Sequence, residues 1–231
     1  MSDQAIEALS SYDWGKDYAA IKPIEDAIVA TAGDAEARKS LEEKLAGVLS
    51  SGASRAAKDY VCRQLRVIGT AASVPAIAKL LSDKELAHMA RYALENNPAP
   101  EAGAALRDAM TSVDGPLLIG VISSLGDRQD NESVPAMAGL LNGSDTAVAR
   151  AAANALGDIR TIEASQALAQ CSSTDEAVVS AVTDASLSCA ESLLAAGNKA
   201  AALPIYKKYS SAEQKHVQLA AKRGLLSALG K

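Results

Sequence analysis

The stretch Ser73-Val74-Pro75-Ala76-Ile77-Ala78-Lys79-Leu80-Leu81 returns as Ser133-Val134-Pro135-Ala136-Met137-Ala138-Gly139-Leu140-Leu141, with seven of nine positions identical. A chain that repeats a short apolar unit has few folds open to it. Each unit is too small to bury its own apolar stripe, so successive copies must stack and share one core. The echo continues downstream. Ser82-Asp83 recurs as Ser144-Asp145, with Asn142-Gly143 inserted in the turn, and Ser144-Asp145-Thr146-Ala147-Val148 comes back as Thr174-Asp175-Glu176-Ala177-Val178. Ile68-Gly69, Leu94-Glu95, Leu125-Gly126 and Leu156-Gly157 follow one another at steps of 26, 31 and 31 residues, within the range of helical-hairpin repeats.

Each unit reads as a short helix, a polar turn and a second helix ending near Gly. Gly at that end predicts a left-handed terminator. Thr70 and Asp130 are placed to cap the next first helix, and Pro75 and Pro135 fall early in it, where a missing N–H costs little. Composition agrees with an all-α fold. Of 231 residues 49 are Ala, the best helix former, while Phe is absent and Trp occurs once. Ala at contact positions, as in Ala151, Ala152, Ala153 and Ala155, lets helix axes approach closely.

The pattern of Val-Pro-Ala, a Leu-Leu pair and a polar turn, followed by Val148-Ala149-Arg150-Ala151-Ala152-Ala153-Asn154-Ala155-Leu156-Gly157-Asp158-Ile159, resembles HEAT repeats of the short bacterial kind across residues 55–171. The stretches 59–65 and 86–95 resemble a set of bacterial HEAT-repeat proteins whose members are often exported and mostly lack an assigned activity. The resemblance implies a right-handed α-α superhelix, a HEAT-like solenoid of stacked helical hairpins. One position departs from it. HEAT repeats commonly place Arg directly after the Val of the second helix; here that position is Ala149, with Arg150 one further on, so a regular Asp–Arg ladder is not implied. We expect a single α-solenoid over 1–231: an N-terminal cap at 1–52 with helices near 4–10, 17–30 and 35–49, HEAT-like repeats at 53–171, and C-terminal repeats at 172–231. Within the last part, 194–206 is similar to the core of a TPR hairpin, with Pro204 placed to kink its helix.

The formal net charge is −5, and residues 1–52 hold ten acids against five bases, leaving eighteen of each for the remainder. An acidic cap on a neutral body speaks against nucleic acid as a partner, because binding the phosphate backbone needs clustered Lys and Arg. Cys62, Cys171 and Cys189 have neither zinc-ligand nor disulfide-framework spacing and read as buried thiols, with a Cys171–Cys189 pair as the alternative. No apolar run approaches the ~18–20 residues needed to span a bilayer. Met1-Ser2-Asp3-Gln4 lacks a basic region followed by an apolar core, so the chain as it stands reads as cytoplasmic, or as periplasmic or secreted where a leader has been removed.

Enzymes known on HEAT-like scaffolds were weighed against the residues present. Di-iron hydroxylases need His-Glu pairs; the two histidines, His88 and His216, precede Met89 and Val217. Alkylpurine DNA glycosylases need a basic, aromatic concave face, and here the body is neutral with Trp14 outside the repeats. Nothing marks the tetrapyrrole pocket of the phycobilin lyases. No phosphate-binding Gly-rich loop, nucleophile elbow or HExxH motif occurs, so no catalytic residue, metal or cofactor is expected.

Superposing repeats at the steps above aligns Arg66, Tyr92, Ser123 and Asn154 on one line of the second helices, and Cys62, His88, Ile119 and Arg150 one turn earlier. Second helices line the concave face of such stacks. Arg63, Arg66, Arg91 and Arg150 would supply cations there, and His88 and Tyr92 ring faces, suiting a protein or peptide partner of acidic character. Tyr206, Tyr209, Lys207, Lys208 and Lys215 form a second cluster near the C-terminus. The leading expectation is therefore a non-catalytic scaffold for a protein or peptide. The alternative is a small enzyme or ligand-binding domain on the same scaffold acting on an anionic substrate, marked by a deep pocket where carboxylate, His and Arg converge. Homo-oligomerisation through an Ala-rich edge is a third expectation.

Overall fold

The computed structural model describes residues 2–230; Met1 and Lys231, the ends of the expected solenoid, lie outside the described residues. Among these residues the chain forms fourteen α-helices, two short 3-10 turns and no strand. In order they are α1 (Ser2–Leu9), α2 (Pro23–Ala30), α3 (Ala35–Leu49), α4 (Arg55–Ile68), α5 (Val74–Ala78), α6 (Ala87–Glu95), α7 (Pro100–Met110), α8 (Gly115–Asp127), α9 (Val134–Leu140), α10 (Thr146–Ile159), α11 (Ile162–Ala169), α12 (Glu176–Ala195), α13 (Lys199–Tyr209) and α14 (Lys215–Ala228). The contacts divide the chain into two compact units, residues 1–121 and 122–231.

In each unit helices pack on a sequence neighbour, on the helix two further along, or on both. In the first unit α3 packs on α4 and α5, α4 on α6, and α5 on α6 and α7. In the second, α9 packs on α10 and α11, α10 on α11 and α12, and α12 on α13 and α14. This is the contact pattern of stacked helical hairpins, in which first helices form one layer and second helices the other. The core is built from Ala, Leu, Val and Ile, as in α10, where Val148, Ala149, Ala152, Ala153, Ala155, Leu156 and Ile159 are all buried.

The repeated residues repeat their roles. Pro75 and Pro135 both occupy the first turn of a first helix. Ser73 and Ser133 are both buried, and each hydroxyl donates to a carbonyl three residues back, that of Thr70 (3.2 Å) and of Asp130 (2.7 Å). Asp145 accepts from Ala147 N and Val148 N at 2.9 and 3.1 Å, and Asp175 from Ala177 N and Val178 N at the same two distances, so each caps its second helix.

Three expectations need correction. First, Gly126 and Gly157 are not left-handed terminators; they lie inside the last turns of α8 and α10. The left-handed residues are Gln129 (φ 53°) and Arg160 (φ 58°). The glycines serve packing instead. A Cβ on Gly126 would lie 2.9 Å from Ala155 Cα, and one on Gly157 2.9 Å from Ala185 Cα, so each marks a close helix crossing. Second, Thr70 does not cap α5 by itself. The buried Glu42 carboxylate, reaching over from α3, accepts from Thr70 N (2.7 Å), Thr70 Oγ1 (2.9 Å) and Ser73 N (3.1 Å). Third, α12 is 20 residues long and apolar enough by length and composition to cross a membrane. Asp184 and Glu191 break its apolar run in the sequence, but both are exposed, while Val178, Ala181, Val182, Ala185, Cys189, Ala190 and Leu193 are buried against neighbouring helices.

The expected cap helix over 17–30 is broken by Lys22-Pro23: residues Tyr18–Ala20 form a 3-10 turn and α2 begins at Pro23. Pro204 lies inside α13, as expected from its position. All three cysteines are free.

Candidate functional site

Helices α4 and α6 carry five of the eight nominated residues, and their packing on each other decides what those residues can do. Arg63 is exposed, and its Nε donates to Asp59 Oδ2 at 3.1 Å. Arg66, one turn on, is half-buried. Its guanidinium carbon stands 4.0 Å from the centroid of the Tyr92 ring, and Nη1 donates to the Tyr92 hydroxyl. With the Asn96 amide turned so that its oxygen faces inward, that oxygen accepts from Arg66 Nε and Nη2, each at 2.8 Å. A guanidinium has five N–H donors, so this arrangement uses three and leaves two over.

Arg91 and Tyr92 are half-buried, and His88 is exposed. The Arg91 guanidinium lies against the backbone of α8 at Gly120, where any Cβ would collide with it. Burial there pulls its pKa down, opposed by the nearby Glu95 charge. Arg91 is thus partly a packing residue, and less a free surface cation than its sequence position suggests.

The remaining three nominated residues sit in the second unit. Ser123 on α8 and Arg150 and Asn154 on α10 are all exposed. The Arg150 charge reaches Asp175, whose carboxyl is held below its usual range, first by the Val178 N–H and then by the Thr146 hydroxyl.

The row through Arg66 and Tyr92 therefore brings two side chains into contact. The row one turn earlier does not form a face: Cys62 is fully buried while His88 is exposed. The buried positions of α4 and α6 coincide better at a step of 29 residues, Tyr60 with Met89, Val61 with Ala90 and Leu65 with Leu94, than at 26, which sets buried Cys62 and Leu65 against the less buried His88 and Arg91. The C-terminal cluster also resolves differently. Tyr206 and Tyr209 are core residues, and only the lysines beside them face out. Burial raises the Tyr206 phenol above its usual value, with the Glu191 charge adding to the effect.

Two concavities escaped the sequence reading. The larger, about 720 Å³, lies in the second unit between the N-terminal half of α12 and the α13–α14 turn, with Glu176, Asp184, Lys208 and His216 among its lining. It is an open groove, and no hydrogen bond joins His216 to either carboxylate among the described residues. The smaller, about 300 Å³, lies in the first unit and is lined by Tyr12, Trp14, Tyr18 and Tyr60 together with Glu25, Asp59 and Arg63. Its one sequence signal was the crowding of aromatics near the N-terminus. No group of three or more metal-ligating side chains occurs among the described residues.

The family model of the HEAT repeats matches residues 104–188. Over these residues the chain is similar to HEAT repeats. The match runs from α7 into α12, so Ser123, Arg150 and Asn154 lie inside the matched segment and the α4–α6 residues precede it. No curated protein matches the chain. Among solved structures it is similar to the designed armadillo repeat protein YIII(Dq)4CqI, at 18% identity and a TM-score of 0.40 over 89% of this chain and 99% of that one. It is also similar to the designed armadillo repeat protein YIII(Dq.V1)4CPAF in complex with peptide (KR)4, at 18% identity and a TM-score of 0.36 over 98% of each chain.

Proposed function

We propose that this chain is a non-catalytic binding scaffold whose first unit takes an acidic peptide segment against the exposed turns of α4 and α6. The observation that carries the reading is Arg66. Its cation is held over the Tyr92 ring and hydrogen-bonded by Tyr92 and Asn96, with two donors not used by these contacts. An arginine held in place beforehand loses less side-chain freedom on meeting a carboxylate, and that carboxylate accepts two parallel N–H bonds well. Arg63 stands one turn away on the same helix and His88 on the neighbouring one. Arg150 and Asn154 supply a similar exposed pair on α10 in the second unit.

Binding of fluorescein-labelled oligoglutamate, followed by anisotropy at low salt, tests the reading. Arg66→Ala should weaken binding about tenfold, the value of one charge-assisted pair. Arg91→Ala should do less, because its guanidinium is engaged with α8. Equal affinity for the wild type and for Arg66→Ala, Arg91→Ala and Arg150→Ala would overturn it.

A further inference from the structure

The chain has only seven aromatic side chains, six Tyr and one Trp, and four of them line one pocket of about 300 Å³ in the first unit. Tyr12 comes from the loop after α1, Trp14 and Tyr18 from the segment leading to α2, and Tyr60 from α4. Their rings stand as walls rather than as a stack. Tyr18 meets Tyr60 edge-on, with centroids 6.2 Å apart and planes at 78°, and Tyr12 meets Tyr60 at 6.4 Å and 53°. Trp14 is 63% exposed at the rim. A large ring left facing water beside a pocket is costly in the free protein and available to a ligand.

The charges at this pocket have an identifiable balance. Asp59 is answered by Arg63 at 3.1 Å. Glu25 receives the Tyr18 hydroxyl, a neutral donor, and no cation pairs with it among the described residues. One carboxylate charge is therefore left at a wall of aromatic faces. Ring faces carry negative electrostatic potential, and with an adjacent carboxylate they favour a cation whose charge is spread over apolar groups. A hydrated ammonium or metal ion would lose water there without gaining enough acceptors or ligands in return. A ligand with a quaternary head gives up little hydration and fills the space by contact.

We infer that Tyr12, Trp14, Tyr18 and Tyr60, with Glu25, form a binding site for a quaternary ammonium head group. The same chemistry occurs in a free small molecule such as choline and at the tip of a trimethylated lysine side chain. The site adjoins the acidic-peptide surface at Arg63, whose charge is answered by Asp59, but it uses a ligand of opposite charge and does not depend on that reading.

Trp14 is the only tryptophan, so its fluorescence reports on this pocket alone. The full chain is titrated with choline, with the neutral isostere 3,3-dimethylbutanol, with ammonium chloride at matched ionic strength, and with a short peptide carrying trimethyllysine or unmodified lysine. The expected result is a saturable change in Trp14 emission with choline or the trimethyllysine peptide, and at least a tenfold weaker response to the isostere, to ammonium and to the unmodified peptide. The preferred ligand of the two assigns the source. A second arm uses Tyr18→Leu, at a half-exposed position, with circular dichroism confirming the helical fold, and Glu25→Gln; each should weaken the quaternary ligand about tenfold. Two results would overturn the inference: no saturation with either quaternary ligand, or equal response to the neutral isostere, which would leave an unselective apolar recess. Both readouts use the wild-type chain and stand even if a variant fails to fold.

Discussion

The guanidinium of Arg66 is stacked on the ring of Tyr92, across the packed pair α4 and α6, and its Nη1 donates to the same residue's hydroxyl. The contact joins consecutive repeats through their exposed layer. A partly exposed cation–ring contact is worth about 0.5–1 kcal/mol, and the hydrogen bond about as much again. Tyr92→Leu should therefore lower stability by about 1–2 kcal/mol in urea unfolding, and Tyr92→Phe should restore roughly half of the loss. Equal effects from the two variants would mean that the ring face contributes nothing.

Glu42 is the residue whose removal should cost most outside the apolar core. It is almost wholly buried, and its carboxylate holds two backbone N–H groups and a hydroxyl at the entry to α5. Hydrogen bonds to a charged group are worth about 1.5–3 kcal/mol each, and donors left buried without a partner add to the penalty. Glu42→Ala should destabilise by at least about 2 kcal/mol, with Glu42→Gln between it and the wild type, measured by the urea midpoint.

At the crossing of α10 and α12, Gly157→Ala forces a Cβ to within 2.9 Å of Ala185 Cα, where backbone rather than a movable side chain must yield. Overpacking costs about 1–3 kcal/mol, more than the helix-propensity gain of roughly 1 kcal/mol. Gly139→Ala in α9 is the control. A Cβ there meets nothing within 4 Å, so the propensity gain stands alone and the melting temperature should rise.

Burial pushes the thiols of Cys62 and Cys189 up to about 12 and about 11, so near pH 8 neither presents a useful fraction of thiolate. Cys171 is only half-buried. Iodoacetamide should add a single mass increment to the native protein, at Cys171, and three after denaturation; rapid native alkylation of Cys62 would contradict the packing described.

Asp175 contributes to the pH dependence of the second unit. Its folded pKa is depressed by the Val178 N–H, then by the Thr146 hydroxyl. A depressed carboxyl adds stability above its unfolded value of about 3.9 and loses it as pH falls through the lower folded value. The melting temperature should fall on acidification below about pH 4, and by less in Asp175→Asn, which has no charge there to lose.

Much of this was legible in the residues. The Val-Pro-Ala repeat located the first helices, the recurring Ser/Thr-Asp motif marked the turns before the second ones, and the Ala content announced close helix packing. These are local signals, carried by a few consecutive side chains acting on their own backbone. The candidate surface was legible only in part. The step of 26 placed Arg66 beside Tyr92, and their side chains do touch, but the same step paired a buried Cys62 with an exposed His88.

From its own order of residues the chain settles that it is helical, that its units repeat, and where several of the helices start, because those outcomes depend on propensity and on caps within a few positions. Packing alone decides the rest. Gly126 and Gly157 look like helix stops until Ala155 and Ala185 are laid across them. Glu42 looks like one more solvated acid of the N-terminal segment until α3 carries it under Thr70 and Ser73. Tyr60 looks like a core residue until Tyr12, Trp14 and Tyr18, more than 40 positions earlier in the chain, are folded back around it. Contacts between distant residues depend on how helices cross, and that geometry is set by the sum of many small packing terms rather than by any motif.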